Sequence, residues 1–435
     1  VTVDLVIKRA RYVLCCDERG ESRTDVSIGV DDGRIVYIGD DPPDGRSVID
    51  GTDLLVMPGL VNLHTHLAMT LLRGIAEEVD LQDFLERVWA EEARIMDANG
   101  VYAGTRLGGL EAVLGGTTTA LDMYFHPAEA HRAAVEVGLR HVTGPVFFSF
   151  PGPDHLQWEE RIALARAWPS TLAGLGGPYV PCALMPHAAF TVGLEHLAEI
   201  ADLARAQGAL VHTHASENDR ENDDTIQATG MRPVPALEAS GILALAPVLG
   251  HGVRLDDHDR VRVAATGTSV AHCPGSNLKL ASGAADIVGY RDQGIRVGIG
   301  TDGCSSSNDL DMFAAMRLAA NLARLVREDP AALSARDVVR AATIEGARAL
   351  GLGDRIGTVE VGKEGDLIAL DLRAPHLVPV RDPYTSVVFS AGRSDVRHVF
   401  VAGEAVVLDR RSTRVAEDAV MTQGTLLVNA SAKLE

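Results

Sequence analysis

Lysine is nearly missing from this 435-residue chain: only Lys8, Lys279, Lys363 and Lys433 occur, so arginine supplies nearly all of the 40 basic side chains. Positive charge as a whole is short, against 60 acidic residues and a formal net charge of −20. Neutralising phosphates needs clustered Lys and Arg, so the balance argues against a nucleic acid as partner. No apolar run reaches the roughly 18 residues of a membrane span, and the opening "VTVDLVIKRARYVL" alternates like a strand, without the sections of a signal peptide. Cysteine is scarce and odd in number: Cys15, Cys16, Cys182, Cys273 and Cys304 form no CxxC pair, which points to a reduced, cytoplasmic setting. Neither disorder nor low complexity fits a chain that is 46% apolar and 23% charged.

What is present is a strand-then-helix alternation. Candidate strands end at "LLVMPGLVNLH", "TTTALDMYF", "RHVTGPVFFSF", "YVPCALMPH", "ALVHTHASE", "APVLGHGV", "TSVAHCPG" and "RVGIGTDG". Helical patterns such as "LQDFLERVWAEEARIM" and "LEHLAEIADLARAQG" lie between them. Eight such strands predict an α/β fold, a (β/α)8 TIM-like barrel over residues 58–362. The ends read as alternating strands and Asp-Gly turns ("DVSIGVDDGRIVYIGD", "VRHVFVAGEAVVLDRR"), which predicts a small β-sandwich module composed of residues 1–57 and 363–435. A helix-like stretch from Val415 onward is expected to pack outside.

Chemistry in such a barrel gathers at the C-terminal ends of the strands. His64 and His66 end the first predicted strand, His187 the fourth, His214 and Glu217 the fifth, His251 the sixth and Asp302 the eighth, with His272 on the seventh. Residues i and i+2 share a face of a strand, so His64 and His66 can aim at one point. An isolated HxH is ambiguous, and an Asp in "GTDG" is ordinary turn chemistry. Their joint occurrence at strand ends points to an N3O donor set suited to one divalent ion: zinc, with iron or manganese as alternatives. A bridged two-metal site in such barrels often uses a carboxylated lysine on a mid-barrel strand, and none lies between Lys8 and Lys279. His212 shares a face with His214 one layer deeper and is expected to pack or support; His272 stays undecided. His126, His131, His141, His155, His196, His258, His376 and His398 are expected to be solvated or locally bonded.

The motifs "PGLVNLHTH", "HTHASE", "GHGV", "HCPGSNLKL" and "GTDG", in order over nearly the whole chain, resemble the amidohydrolase superfamily. Within it they are similar to the purine-type aminohydrolases and s-triazine hydrolases, and "MTLLRGIAEE" and "TTTALDMYF" look most like methylthioadenosine/S-adenosylhomocysteine deaminases. The resemblance implies His64, His66, His214 and Asp302 as metal ligands, Glu217 as the proton-shuttling glutamate and His251 as the histidine orienting the attacking water. It implies substrate contacts for His187 and for Phe84, which stands where a tryptophan is expected. Glu92 falls near a ribose-binding glutamate; beside Glu91 it reads equally as a solvated helix carboxylate. Arginines expected for ribose and a homocysteine carboxylate are missing from "TGPVFFSFPGPDHLQWEER", with Gly144 where one would lie, and the apolar run suggests a greasier or smaller substituent. Asp286, where a proline is usual, is left open between a loop role and a substrate contact.

The implied reaction is hydrolytic deamination of an aminated purine, purine nucleoside or related N-heterocycle, with Glu217 as acid and Asp302 as base. Displacement of chloride or alkylamine from an s-triazine-like ring is the alternative, and a non-catalytic scaffold on the same fold a third reading. Partners are then a small-molecule substrate and, from the resemblance, further copies of the chain in a homo-oligomer.

Overall fold

A computed structural model describes residues 2–431. Lys433 and the last residues assigned to the terminal module lie outside the described residues. The expected strands are all present, as two parallel ladders. Leu60–Thr65, Thr117–Asp122 and Arg140–Val142 form one. Val146–Phe147, Ala183–Pro186, Leu210–Ala215, Val248–His251, Ser269–His272 and Arg296–Ile299 form the other. The predicted strand "RHVTGPVFFSF" is thus split, its halves separated by residues 143–145 around Pro145, which has no N–H to give to a ladder. At the other edge the Asp302 N–H donates to the His64 carbonyl at 3.0 Å, tying the end of the last strand to the first. Gly300 permits that approach, because a Cβ there would lie 2.9 Å from the His64 oxygen.

The run "LLVMPGLVNLH" also divides. Leu54–Pro58 belongs to a nine-stranded sheet drawn from both ends of the chain, lying between Thr2–Leu14 and Leu367–Asp371. Its residues alternate as a strand must: Leu54 and Val56 join a cluster with Ile7, Ile28 and Phe400, while Leu55 and Met57 join the large core under the helices. Both faces are buried, which is why this stretch reads as a continuous apolar run. In Leu60–Thr65 the odd residues Val61 and Leu63 face Gly346 and Gly298, whereas Asn62 and His64 face Thr301 and His212 across the inner side.

The helix Leu81–Ile95 starts at Asp80, whose side chain accepts from the N–H groups of Gln82 and Asp83. Leu81, Phe84, Val88, Glu92 and Ile95 recur at helical spacing and form its buried face. The predicted terminal helix is Glu417–Ser431; it lies on Ala98–Leu114 through Gln423 to Arg106 at 3.1 Å. No described helix is long and apolar enough to cross a membrane.

Candidate metal centre and active site

His64, His66, His214 and Asp302, expected from four separate motifs, converge at the strand ends. The Asp302 Oδ1 atom lies 3.2 Å from His64 Nε2 and 3.1 Å from His66 Nε2, and His214 Nε2 lies 3.4 Å from His66 Nε2. Tetrahedral ligands about 2.1 Å from an ion are separated by about 3.4 Å, so these spacings fit one divalent cation. The three histidine donors lie within 4.8 Å of one another, and so do donors of His64, His251 and Asp302. His64 Nε2 is buried without a hydrogen-bond partner, an orphan that a metal bond would satisfy.

The rear nitrogens fix the tautomers. His66 Nδ1 donates to the Met123 carbonyl at 2.7 Å and His214 Nδ1 to the His187 carbonyl at 2.8 Å, leaving each Nε2 a lone pair. For His64 the control is one ring further back. His212 Nδ1 donates to the Val248 carbonyl at 2.9 Å, so its Nε2 accepts from His64 Nδ1 at 2.7 Å. His212 thus supports His64 from the deeper layer. Ser306 Oγ donates to Asp302 Oδ2 at 2.6 Å and leaves Oδ1 for the cluster.

Electrostatics point the same way. Burial alone would push the His66 imidazole down, but the Asp302 carboxylate beside it raises it to about 9. Burial pushes His64 down to about 4, with Asp302 opposing, and pushes His214 well below its usual value. Burial would push the Asp302 carboxyl up, yet the two imidazoles hold it well below the ordinary range. Burial thus keeps His64 and His214 neutral, the form that ligates an ion, while the ionised Asp302 supplies negative charge beside them. Asp302 and His251 adopt left-handed backbone with φ of 63° and 68°, where the chain turns sharply off each strand.

Glu217 and His251 lie next to the cluster. His251 Nδ1 donates to Asn277 Oδ1 at 2.9 Å, and its Nε2 lies 3.6 Å from Glu217 Oε2. Burial raises the Glu217 carboxyl, with His251 opposing. The Glu217 N–H donates to Glu221 at 2.6 Å. All of these except Asn277 line a cavity of about 770 Å³, counting its open mouth, with His66, His214 and Asp302 of the cluster on its floor.

The cavity walls include the three residues expected to meet substrate. Phe84 and Glu92 are on the inner face of Leu81–Ile95, and His187 stacks on Phe148 with ring centroids 4.6 Å apart. Glu92 is 2% exposed and accepts from the Tyr124 hydroxyl at 2.6 Å, so the solvated-carboxylate reading is wrong. Its carboxyl is raised by burial to about 7. Asp286 faces elsewhere: it caps Ile287–Asp292 and pairs with Arg327 at 2.8 Å. His272 is buried outside the cavity lining with neither ring nitrogen hydrogen-bonded. The solvated reading also fails for His131, His141 and His398, which are buried. Sequence reasoning missed Asn277, Ser306, Glu221 and Tyr124 as supports; Asn277 and Tyr124 stood inside quoted motifs whose histidines and acids drew the attention.

A donor set of this kind at the strand ends of a parallel α/β fold is that of a metal-dependent hydrolase. The model of the Amidohydrolase family matches residues 55–406, and the chain belongs to that family. It is 41% identical over 404 residues to a 5-methylthioadenosine/S-adenosylhomocysteine deaminase of Haloarcula marismortui, covering 92% of each chain. Among solved structures, a zinc-bound adenosine deaminase of Xanthomonas campestris superposes with a TM-score of 0.95 at 33% identity, over 99% of both chains. A zinc complex of atrazine chlorohydrolase from Arthrobacter aurescens superposes with a TM-score of 0.90 at 26% identity, over 98% of this chain and 100% of the other.

Proposed function

We propose that the chain is a mononuclear, divalent-metal-dependent deaminase that releases ammonia from an aminated purine, purine nucleoside or related N-heterocycle. The observation that carries this reading is one cavity with His66, His214 and Asp302 on its floor, His64 Nε2 3.2 Å from Asp302 Oδ1, and the buried Glu217 carboxyl beside them. The deaminase relatives at 41% and 33% identity support the same reaction class. His64, His66, His214 and Asp302 would hold the ion, zinc in both solved relatives. Bound there, it makes water a nucleophile at neutral pH.

The remaining steps belong to side chains. Asp302 accepts the proton from the attacking water and passes it to the amino group, which leaves as ammonia as the C–N bond breaks, while the new hydroxyl returns its proton to Glu217. Glu217, whose carboxyl burial raises, delivers a proton to the ring nitrogen next to the amino-bearing carbon. His251, fixed by Asn277, directs Nε2 at the attacking oxygen. His187, Phe84 and Glu92 border the substrate. In this reading the two ladders close through residues 143–145 and the Asp302–His64 bond into an eight-stranded barrel over 58–362. Residues 1–57 and 363–435 form the composite β-sandwich module, and the enzyme works in the cytoplasm as a homo-oligomer.

Glu217→Gln tests the division of labour. It should lower kcat by about 10²- to 10⁴-fold at unchanged metal content, measured by ammonia release and elemental analysis. Near-normal turnover of the metal-loaded variant would rule Glu217 out as the acid. The chlorohydrolase likeness supports a second reading, displacement of chloride or alkylamine from an s-triazine, and release of chloride without ammonia from any substrate would favour it.

A further inference from the structure

The relative from Haloarcula is named for two substrates that differ at the 5′ end: a methylthio group, or a homocysteine tail carrying an amino acid. The cavity distinguishes the two chemistries. Away from the metal floor its wall is Phe84, Leu85, Val88, Trp89, Phe148 and Phe190. Trp89 meets Phe148 edge-on at 6.2 Å in this wall, and Phe150, 41% exposed and outside the lining, continues the ring contacts toward solvent. No lysine or arginine is among the described residues that line the cavity, while Glu92, Glu217, Glu221 and Asp302 all are.

Of the cations beside lining residues, Arg87 is exposed, off the buried face of its helix, and Arg161, Lys279 and Arg220 are engaged elsewhere. Arg161 is 1% exposed behind the Phe148 ring, and its guanidinium donates to Asp154 at 2.6 and 2.8 Å and to the Val146 carbonyl at 3.1 Å. Lys279 is paired with Glu77 at 2.8 Å, and Arg220 is exposed and faces Asp80 at 3.9 Å. Gly144 leaves no room for a side chain, since a Cβ there would lie 1.8 Å from the Ala183 carbonyl oxygen. A carboxylate tail against this wall would meet no guanidinium among the described lining residues and gain no charge-assisted hydrogen bond there. A thioether or short alkyl group, in contrast, meets ring edges that favour sulfur and carbon.

We infer that the Trp89–Phe148 wall is a subsite for an uncharged alkyl or alkylthio 5′ substituent and that it rejects 5′ tails bearing a carboxylate. This deepens the proposed deaminase reading and rests on it. The test compares kcat/KM of the zinc-loaded enzyme for methylthioadenosine, 5′-deoxyadenosine, adenosine and S-adenosylhomocysteine. S-adenosylhomocysteine should fall below methylthioadenosine by about 30-fold or more; a smaller gap overturns the inference while leaving deamination intact. Deamination of none of the four overturns the inference, and ammonia release from free aminopurines, pterins and triazines then decides the proposed function. Trp89→Ala supplies the second readout: it should reduce the ratio of kcat/KM for methylthioadenosine over adenosine by about 5-fold or more. An equal loss on both nucleosides would remove Trp89 from the subsite.

Discussion

The His64–His66–His214–Asp302 cluster and the Asp122–His141–His131 cluster are built from the same residue types, both buried, and both have members on the ladder that begins at Leu60. They differ in where their valences go. Asp122 accepts from the Leu67 N–H at 2.8 Å and pairs with His141 Nε2 at 2.8 Å. His141 Nδ1 lies 3.4 Å from His131 Nδ1, and His131 Nε2 donates to the Gly176 carbonyl at 3.2 Å. Each polar atom has a partner, and the chain of contacts braces the turn that follows His66. In the other cluster only the Nδ1 atoms are engaged, and the Nε2 atoms face one another around Asp302 Oδ1. Burial of histidine and aspartate is therefore not enough to mark a site; an array of inward, unpartnered donors is.

Exchanging the two clusters in experiment gives the largest contrast. His66→Ala should leave the protein folded but reduce bound metal to about a tenth of an equivalent or less, with activity lower by about three orders of magnitude or more. His141→Ala should do the reverse. It leaves the buried Asp122 carboxylate without its pair, at a cost of about 3–5 kcal/mol in unfolding free energy, and keeps the metal. Elemental analysis and denaturant titration of both variants decide the matter. Stoichiometric metal in His66→Ala, or unchanged stability in His141→Ala, would collapse the distinction.

The strand ends were legible because chemistry-bearing residues punctuate apolar runs: HxH after "LVNL", HxxE after "HTHAS", Asp after "GIGT". The strand-then-helix alternation and eight such endings conveyed the parallel α/β architecture. Two features were not legible. The seam at Pro58, where one apolar run serves the terminal sheet and then the parallel ladder, leaves no break in hydrophobicity because both strands are buried on both faces. The buried state of Glu92, His131 and His141 depends on which helix face or strand meets a neighbour far along the chain. Tyr124 and Asp122, 32 and 19 residues away from Glu92 and His141, supply the partners.

His212 stands between the two kinds of cluster, with both ring nitrogens engaged as in the brace and one of them engaged by His64. His212→Phe preserves a ring of similar shape but removes the acceptor that holds His64 in the Nδ1–H tautomer. Metal affinity should weaken by about 10- to 100-fold, measured by chelator competition at equilibrium. Unchanged affinity would mean that packing alone, as in the brace, accounts for this ring.

The smallest expected effect concerns Glu92, an acid with one partner in a cavity wall. Burial raises its carboxyl from 4.5 to about 7, with the Tyr124 hydroxyl and His66 opposing. Between those values the folded chain keeps a proton that the unfolded chain releases, so stability falls as pH rises through the window, and the full penalty applies above about 7. Glu92→Gln still accepts from Tyr124 but never ionises. It should match the wild type near pH 4 and exceed it by about 1–3 kcal/mol at pH 8. Unfolding titrations of both proteins across this range give the difference directly. A gain that does not grow with pH would mean that Glu92 meets solvent after all, and that the cavity wall carries one buried acid fewer than the structure places there.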